Sequence, residues 1–136
     1  SYNANPLSVH AALDALHDLG SAGRRIAVLG DMLELGPTGP ELHHHIGALA
    51  AERVDWLFTY GALAEEIAKG AVESGFPQER VFSATSHDEL AASLLEILHS
   101  GDRVLVKGSR GMRMEKVIDA LRIARQTTAA NGNGRG

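Results

Sequence analysis

Lys107 and Arg110 stand on either side of Gly108-Ser109, where the apolar run Val104-Leu105-Val106 gives way to Gly111-Met112-Arg113-Met114-Glu115-Lys116. Helix-forming residues follow at once, so the order predicts a strand that empties into the start of a helix. Such a start leaves several backbone N–H groups without intrahelical partners and adds the partial positive charge of the helix dipole. Glycines let the backbone close around a bound group, and the two side chains add full cations. The chemistry predicted is capture of an anion, phosphate or carboxylate; the alternative is a plain turn whose cations face solvent. No Gly-x-x-x-x-Gly-Lys-Ser/Thr motif exists in the chain, and Gly30 is followed by Asp31-Met32 rather than by another glycine. Neither standard nucleotide phosphate cradle is therefore present.

Three other groups of residues have chemical potential. In Gly30-Asp31-Met32-Leu33-Glu34-Leu35-Gly36, Asp31 and Glu34 place two carboxylates directly after a second apolar run. They suit an ammonium group or a hydrated Mg2+; otherwise Asp31 caps its loop and Glu34 is solvated. His43-His44-His45 does not read as a metal site, because consecutive helical residues point about 100° apart. His43 alone can face the same rim. His10, His17, His87 and His99 show no ligand spacing and are expected at the surface or at helix ends. In Ser1-Tyr2-Asn3-Ala4-Asn5-Pro6, Asn5 or Ser8 can act as a helix N-cap, or Tyr2, Asn3 and Asn5 can bind a sugar or a base edge.

The elements that must position these residues alternate in type. Helices are predicted from about Leu7 to Leu19, Glu41 to Arg53, Ala62 to Ser74, Ser86 (as cap, with Glu89 as capping-box partner) to His99, and Met112 to Arg125. Strands are predicted at Arg25–Gly30, Trp56–Tyr60, Arg80–Ala84 and Asp102–Val106. The stretch Asp31–Pro40 is a loop rich in turn formers. Strands alternating with helices at this spacing give βαβ crossovers and a parallel sheet covered on both faces. In such sheets ligands sit outside the carboxyl ends of the strands. That puts Gly30-Asp31, Tyr60-Gly61, Ala84-Thr85 and Lys107-Gly108-Ser109 along one rim. Residues 126–136 carry no apolar pattern and are expected to be disordered.

Composition sets the outer bounds. The 136 residues make one domain with 44% apolar and 22% charged residues, ordinary for a globular protein. The net charge of −4 gives no global field to attract nucleic acid or an anionic membrane, so any anion site must be local. Cysteine is absent, which excludes disulfide and thiolate chemistry. No apolar run approaches the roughly 20 residues of a spanning helix, and the opening residues do not resemble a signal peptide. A cytoplasmic location is the default.

Taken in order and spacing, Ser1-Tyr2-Asn3-Ala4-Asn5-Pro6, Gly30-Asp31-Met32-Leu33-Glu34-Leu35-Gly36, His43-x-x-x-Gly47 and Lys107-Gly108-Ser109-Arg110 resemble the C-terminal domain of the Mur ligase family. Within it the similarity is greatest to the branch that adds D-alanyl-D-alanine. The resemblance spans residues 1–125 and implies a Rossmann-like α/β three-layer sandwich with a mostly parallel sheet, its first strand missing ahead of Ser1. It implies a three-domain polypeptide, expected to be monomeric, whose other domains hold a UDP-N-acetylmuramoyl-tripeptide, the P-loop, Mg2+ and a carbamylated lysine. ATP activates the peptide carboxylate as an acyl phosphate, and the amine of D-alanyl-D-alanine attacks it. Catalytic residues are then expected outside this domain, which alone should be inactive. By the same resemblance Tyr2, Asn3 and Asn5 touch the ribose and base of ATP, and a leading aspartate would sit just before Ser1. Lys107, Gly108, Ser109 and Arg110 face the dipeptide, with Arg110 or Lys107 pairing its carboxylate. Asp31 and Glu34 orient the amine side, and His43 matches a family histidine. A Mur ligase adding a different amino acid, or a non-catalytic α/β module binding a phosphorylated metabolite, are the alternatives.

Overall fold

A computed structural model describes residues 4–19 and 23–123. Tyr2, Asn3 and the stretch 126–136 lie outside the described residues, as does the expected boundary at residue 125. Helix α1 (Pro6–Asp18) leads into β1 (Arg25–Gly30), α2 (Gly39–Ala51), β2 (Trp56–Tyr60), α3 (Ala64–Glu73), β3 (Val81–Ala84), α4 (His87–Ile97) and β4 (Arg103–Lys107). A last helix, α5, covers residues 115–123. The four strands form one parallel sheet in the order β3-β2-β1-β4, the α/β arrangement the alternation predicts.

Period-two alternation along β1 divides the interior into two cores. Ala27 and Leu29 face α1, α2 and α3, where they meet Leu13, Ile46, Leu57 and Ile67. Ile26 and Val28 face α4 and α5, where they meet Phe58, Leu90, Leu94 and Val117. Each such side chain contributes about 2 kcal/mol on burial, so the sheet is clamped from both sides in three layers. Gly47 of α2 and Gly70 of α3 let those helices cross at backbone contact. A Cβ on Gly47 would collide with the Ile67 carbonyl, and one on Gly70 with that of His44.

Helix boundaries show local chemistry that periodicity alone misses. Asn5 and Ser8 form a reciprocal capping box on α1, with Ser8 N–H donating to Asn5 Oδ1 (2.9 Å) and Asn5 N–H to Ser8 Oγ (3.0 Å). Helix α2 begins at Gly39, earlier than Glu41, because Pro40 fits the first turn, where no N–H is needed. On α4, Ser86 Oγ accepts from Glu89 N–H (3.0 Å) as predicted, but Glu89 reaches back to Thr85 N–H (2.6 Å).

The largest departure follows β4. The sequence suggests a helix from Met112, whereas a 3-10 turn at Arg110–Met112 and a left-handed Arg113 (φ 51°) intervene before α5. Inside that turn Met112 N–H donates to Ser109 O (2.8 Å) and Arg113 N–H to Arg110 O (3.1 Å). The N–H groups and dipole of a helix start are thus displaced from Lys107-Gly108-Ser109-Arg110. What remains at the corner is side-chain charge on a tightly set backbone. Among the described residues no helix is long and apolar enough to cross a membrane.

Candidate functional site

Two loops meet beyond the carboxyl ends of β1 and β4. Gly30 and Gly108 lie side by side there, and the Met114 side chain packs across both. A Cβ on Gly30 would stand 2.7 Å from Met114 Sδ, and one on Gly108 2.6 Å from Met114 Cγ. Larger residues would push Met114 out and part the loops. Beyond Met114 opens a cavity of about 690 Å3. Val106, Met114 and Ile118 give it an apolar floor, and Lys107, Arg110 and Glu115 set charge around it.

The loop after β1 is held by backbone hydrogen bonds at three consecutive residues. Ser109 N–H donates to Asp31 O (2.9 Å), Met32 N–H to His43 Nε2 (2.9 Å), and Leu33 N–H to Ser109 Oγ (2.6 Å). His43 is fully buried. Since Nε2 accepts, Nδ1 carries the hydrogen and donates to Gly39 O (2.6 Å). The buried Met32 N–H thereby gains a partner it would otherwise lack, a difference of about 1–3 kcal/mol. The histidine that sequence alone brings to the rim therefore stands beneath it as a strut.

The remaining sequence-predicted residues divide by exposure. Asp31 is 7% exposed, and its Oδ1 accepts from Ala64 N–H (2.6 Å) at the start of α3, which is why that helix begins at Ala64. A Cβ on Gly61 would strike the same carboxylate. Ser109 is 2% exposed. Glu34 is exposed and holds a left-handed φ of 62°. Arg110 is exposed, and Lys107 and Gly108 are half-buried. Lys107 and Arg110 thus line the cavity and Glu34 is exposed on the neighbouring loop, while Asp31, His43 and Ser109 fix the backbone that carries them. Asn5 Oδ1 is engaged in the α1 cap. No three acidic, histidine or cysteine side chains converge among the described residues.

His87 opens α4, at a helix end as expected, but sequence reasoning gives it no contact. Its ring lies 4.7 Å from that of Tyr60, and its Nε2–H donates to Met112 O (2.7 Å), tethering the turn after Arg110 to α4. The partners lie 25 residues apart on separate elements, and no local pattern announces the contact. Beside it, Tyr60, Glu65, Ser83, Thr85 and Met112 border a smaller cavity of about 380 Å3.

Residues 1–110 match the family described as "Mur ligase, glutamate ligase domain". The chain is 38% identical over 122 residues to the UDP-N-acetylmuramoyl-tripeptide--D-alanyl-D-alanine ligase of Bacillus subtilis, covering 89% of the chain and 26% of the relative. It is equally 38% identical over 125 residues to the ligase of the same name from Treponema pallidum, with the same coverage. Among solved structures, MurF from Acinetobacter baumannii superposes with a TM-score of 0.76 at 30% identity. MurF ligase from Thermotoga maritima in complex with ADP superposes with a TM-score of 0.72 at 27% identity. Both cover 89% of the chain and 26% of the solved protein. The chain spans about a quarter of the length of the curated relatives it matches.

Proposed function

The chain belongs to the Mur ligase family, and on that premise we propose that it is the acceptor-delivering C-terminal domain of an ATP-dependent ligase joining D-alanyl-D-alanine to a UDP-N-acetylmuramoyl-tripeptide. The observation that carries this is the corner at the end of β4, where Lys107 and Arg110 flank a cavity with an apolar floor of Val106, Met114 and Ile118. A dipeptide of D-alanine has one carboxylate for the cations and two methyl groups for that floor. Charge-assisted hydrogen bonds to guanidinium and ammonium fix its orientation. Glu34, exposed on the facing loop, suits the ammonium end, with Asp31, His43 and Ser109 setting the loops. Tyr2, Asn3 and Asn5 approach the ribose and base of ATP.

In the reaction the acceptor amine, having lost a proton, attacks the acyl carbon of an acyl phosphate. The new C–N bond forms, the bond from that carbon to the phosphate oxygen breaks, and inorganic phosphate leaves with the electron pair. The nitrogen gives up a second proton, which the phosphate can take, to leave the neutral amide. ATP, its Mg2+ and the uridine substrate are held chiefly by other domains of the same polypeptide. This domain binds and orients the nucleophile and, on closing, brings it to attack distance and excludes water that would hydrolyse the acyl phosphate. Its substrates are precursors made in the cytoplasm, where the longer protein acts as a monomer, without nucleic acid or membrane as partner.

Calorimetry on the full-length polypeptide, with nucleotide and uridine substrate present, tests the assignment. D-alanyl-D-alanine should bind more tightly than D-glutamate, L-lysine or diaminopimelate. Tighter binding of a single amino acid would assign the domain to another branch of the family, and binding of none would point to a module without ligase function.

A further inference from the structure

One buried hydroxyl joins three segments that are remote in sequence. Ser109 Oγ donates to Ala4 O (3.3 Å), 105 residues away, and accepts from Leu33 N–H (2.6 Å), 76 residues away. Its own N–H holds Asp31 O (2.9 Å). Ala4 is 2% exposed and sits in the core between the sheet and α1. The hydroxyl hydrogen is therefore directed at a backbone carbonyl in the protein interior, although Ser109 also borders the rim cavity.

The surroundings leave little slack around this junction. Met114 Cγ stands 2.6 Å from where a Cβ on Gly108 would be, and Leu33 Cδ1 stands 3.0 Å from the corresponding position on Gly111. Movement of the chain at Ala4-Asn5 must then be taken up at Ser109, and through it at Leu33 and at the turn that carries Arg110. Close-packed interiors transmit such displacements rather than absorbing them.

We propose that Ser109 is a positioning residue that couples the segment entering α1 to the acceptor corner, so that nucleotide contact at Asn5 sets the affinity of the corner for its carboxylate ligand. This rests on the assignment above of the first segment to ATP and of Lys107 and Arg110 to the acceptor. Thermodynamic linkage makes the effect reciprocal: whatever factor the nucleotide confers on the dipeptide, the dipeptide confers on the nucleotide.

The test is a coupling measurement on the full-length polypeptide. Dissociation constants for D-alanyl-D-alanine are taken with and without a non-hydrolysable ATP analogue, for the wild type, Ser109→Ala and Ser109→Thr. The wild type should bind the dipeptide at least fivefold more tightly with the analogue present. Ser109→Ala should bring that ratio close to one, and Ser109→Thr, which keeps a hydroxyl, should restore most of it. An unchanged ratio in Ser109→Ala, or a wild-type ratio of one, overturns the proposal, since a merely structural serine would weaken binding without altering the ratio. Should Ser109→Ala fail to fold, Ser109→Cys, with a weak S–H donor, should give an intermediate ratio; a wild-type ratio there overturns the coupling equally. Hydrogen exchange at the Leu33 amide separates this from failure of the functional assignment. If no dipeptide binds the wild type, the analogue should still slow exchange at Leu33 in the wild type but not in Ser109→Ala, and equal slowing in both overturns the proposal.

Discussion

Strand β4 has basic residues at both ends, and the two ends use charge in opposite ways. At the amino end, Arg24 meets Asp102 through Nε to Oδ1 (3.0 Å) and Nη2 to Oδ2 (2.6 Å), and also donates to the Ile97 carbonyl. The Asp102 side chain is 4% exposed and accepts in addition from His99 N–H (2.7 Å). Charge there is neutralised by the protein itself, and its result is cohesion between β4, the end of α4 and the entry to β1. At the carboxyl end the buried side chains of Ser109 and His43 hydrogen-bond to backbone groups of Ala4, Met32, Leu33 and Gly39, and Glu34 and Arg110 are exposed. Among the described residues, the non-glycine residues with left-handed φ, Glu34 and Arg113, both belong to this end. At this end the buried polar side chains fix the backbone that carries the exposed charged residues.

Removing the strut beneath the carboxyl end should have the largest effect. His43→Ala leaves the buried Met32 N–H without its partner and opens a cavity, a loss of about 3 kcal/mol in denaturant unfolding. It should also raise the acceptor KM, because the loop bearing Glu34 loses its anchor. A stability loss with an unchanged KM would mean that the loop holds its shape without His43, and the contrast between the two ends would weaken.

At the other end the same kind of deletion should act on stability alone. Asp102→Ala leaves Arg24 without its carboxylate, a loss of about 2 kcal/mol, with the acceptor KM unchanged. The hydrogen bond from Arg24, followed by that from His99 N–H, holds the Asp102 carboxyl below its usual 3.8. The stabilisation from its ionised form is thus fully present above that value and is lost as pH falls through the lower folded-state value. Asp102→Asn should flatten this acid limb of the stability profile; a limb as steep as that of the wild type would remove the pair from the account. Arg110→Ala is the converse. It should raise the dipeptide KM about 30-fold, as loss of a charged hydrogen bond of about 2 kcal/mol implies, while leaving the ATP KM in place.

These contrasts also show what sequence could reveal. The sheet was legible because β1 and β2 are continuous apolar runs bounded by glycine, and both lie at the predicted residues. The rim was legible because parallel strands place their carboxyl ends together. The division of labour on the rim was not. Asp31 and Glu34 are the same kind of residue in one loop, yet one caps a helix from another part of the chain and the other faces solvent. That difference is set by Ala64 N–H, 33 residues on. Ser109 and His43 likewise owe their roles to partners supplied by tertiary packing, and so does the contact of His87 with Met112. A turn through Gly111 was legible, but helix-forming composition resumes at Met112, and only the packing of Met114 across Gly30 and Gly108 shows why α5 starts at residue 115.

The smallest predicted effect bears on the strain held at the carboxyl end. A left-handed residue with a Cβ costs roughly 1 kcal/mol relative to glycine, and Glu34 holds φ at 62°. Glu34→Gly should therefore stabilise the fold, by about 0.5 kcal/mol once the greater entropy of glycine in the unfolded chain is set against the relief. The same change removes the carboxylate and should raise the acceptor KM severalfold. Glu34→Gln keeps the backbone strain and removes only the charge, so it should raise KM to a similar extent with stability unchanged. The pair separates the two costs. If Glu34→Gly stabilises without affecting KM, the strained carboxylate has no part in holding the acceptor. If both variants raise KM while only the glycine stabilises, the carboxyl end has kept a conformation unfavourable to folding for the sake of where it presents a charge, and the amino end shows no counterpart among the described residues.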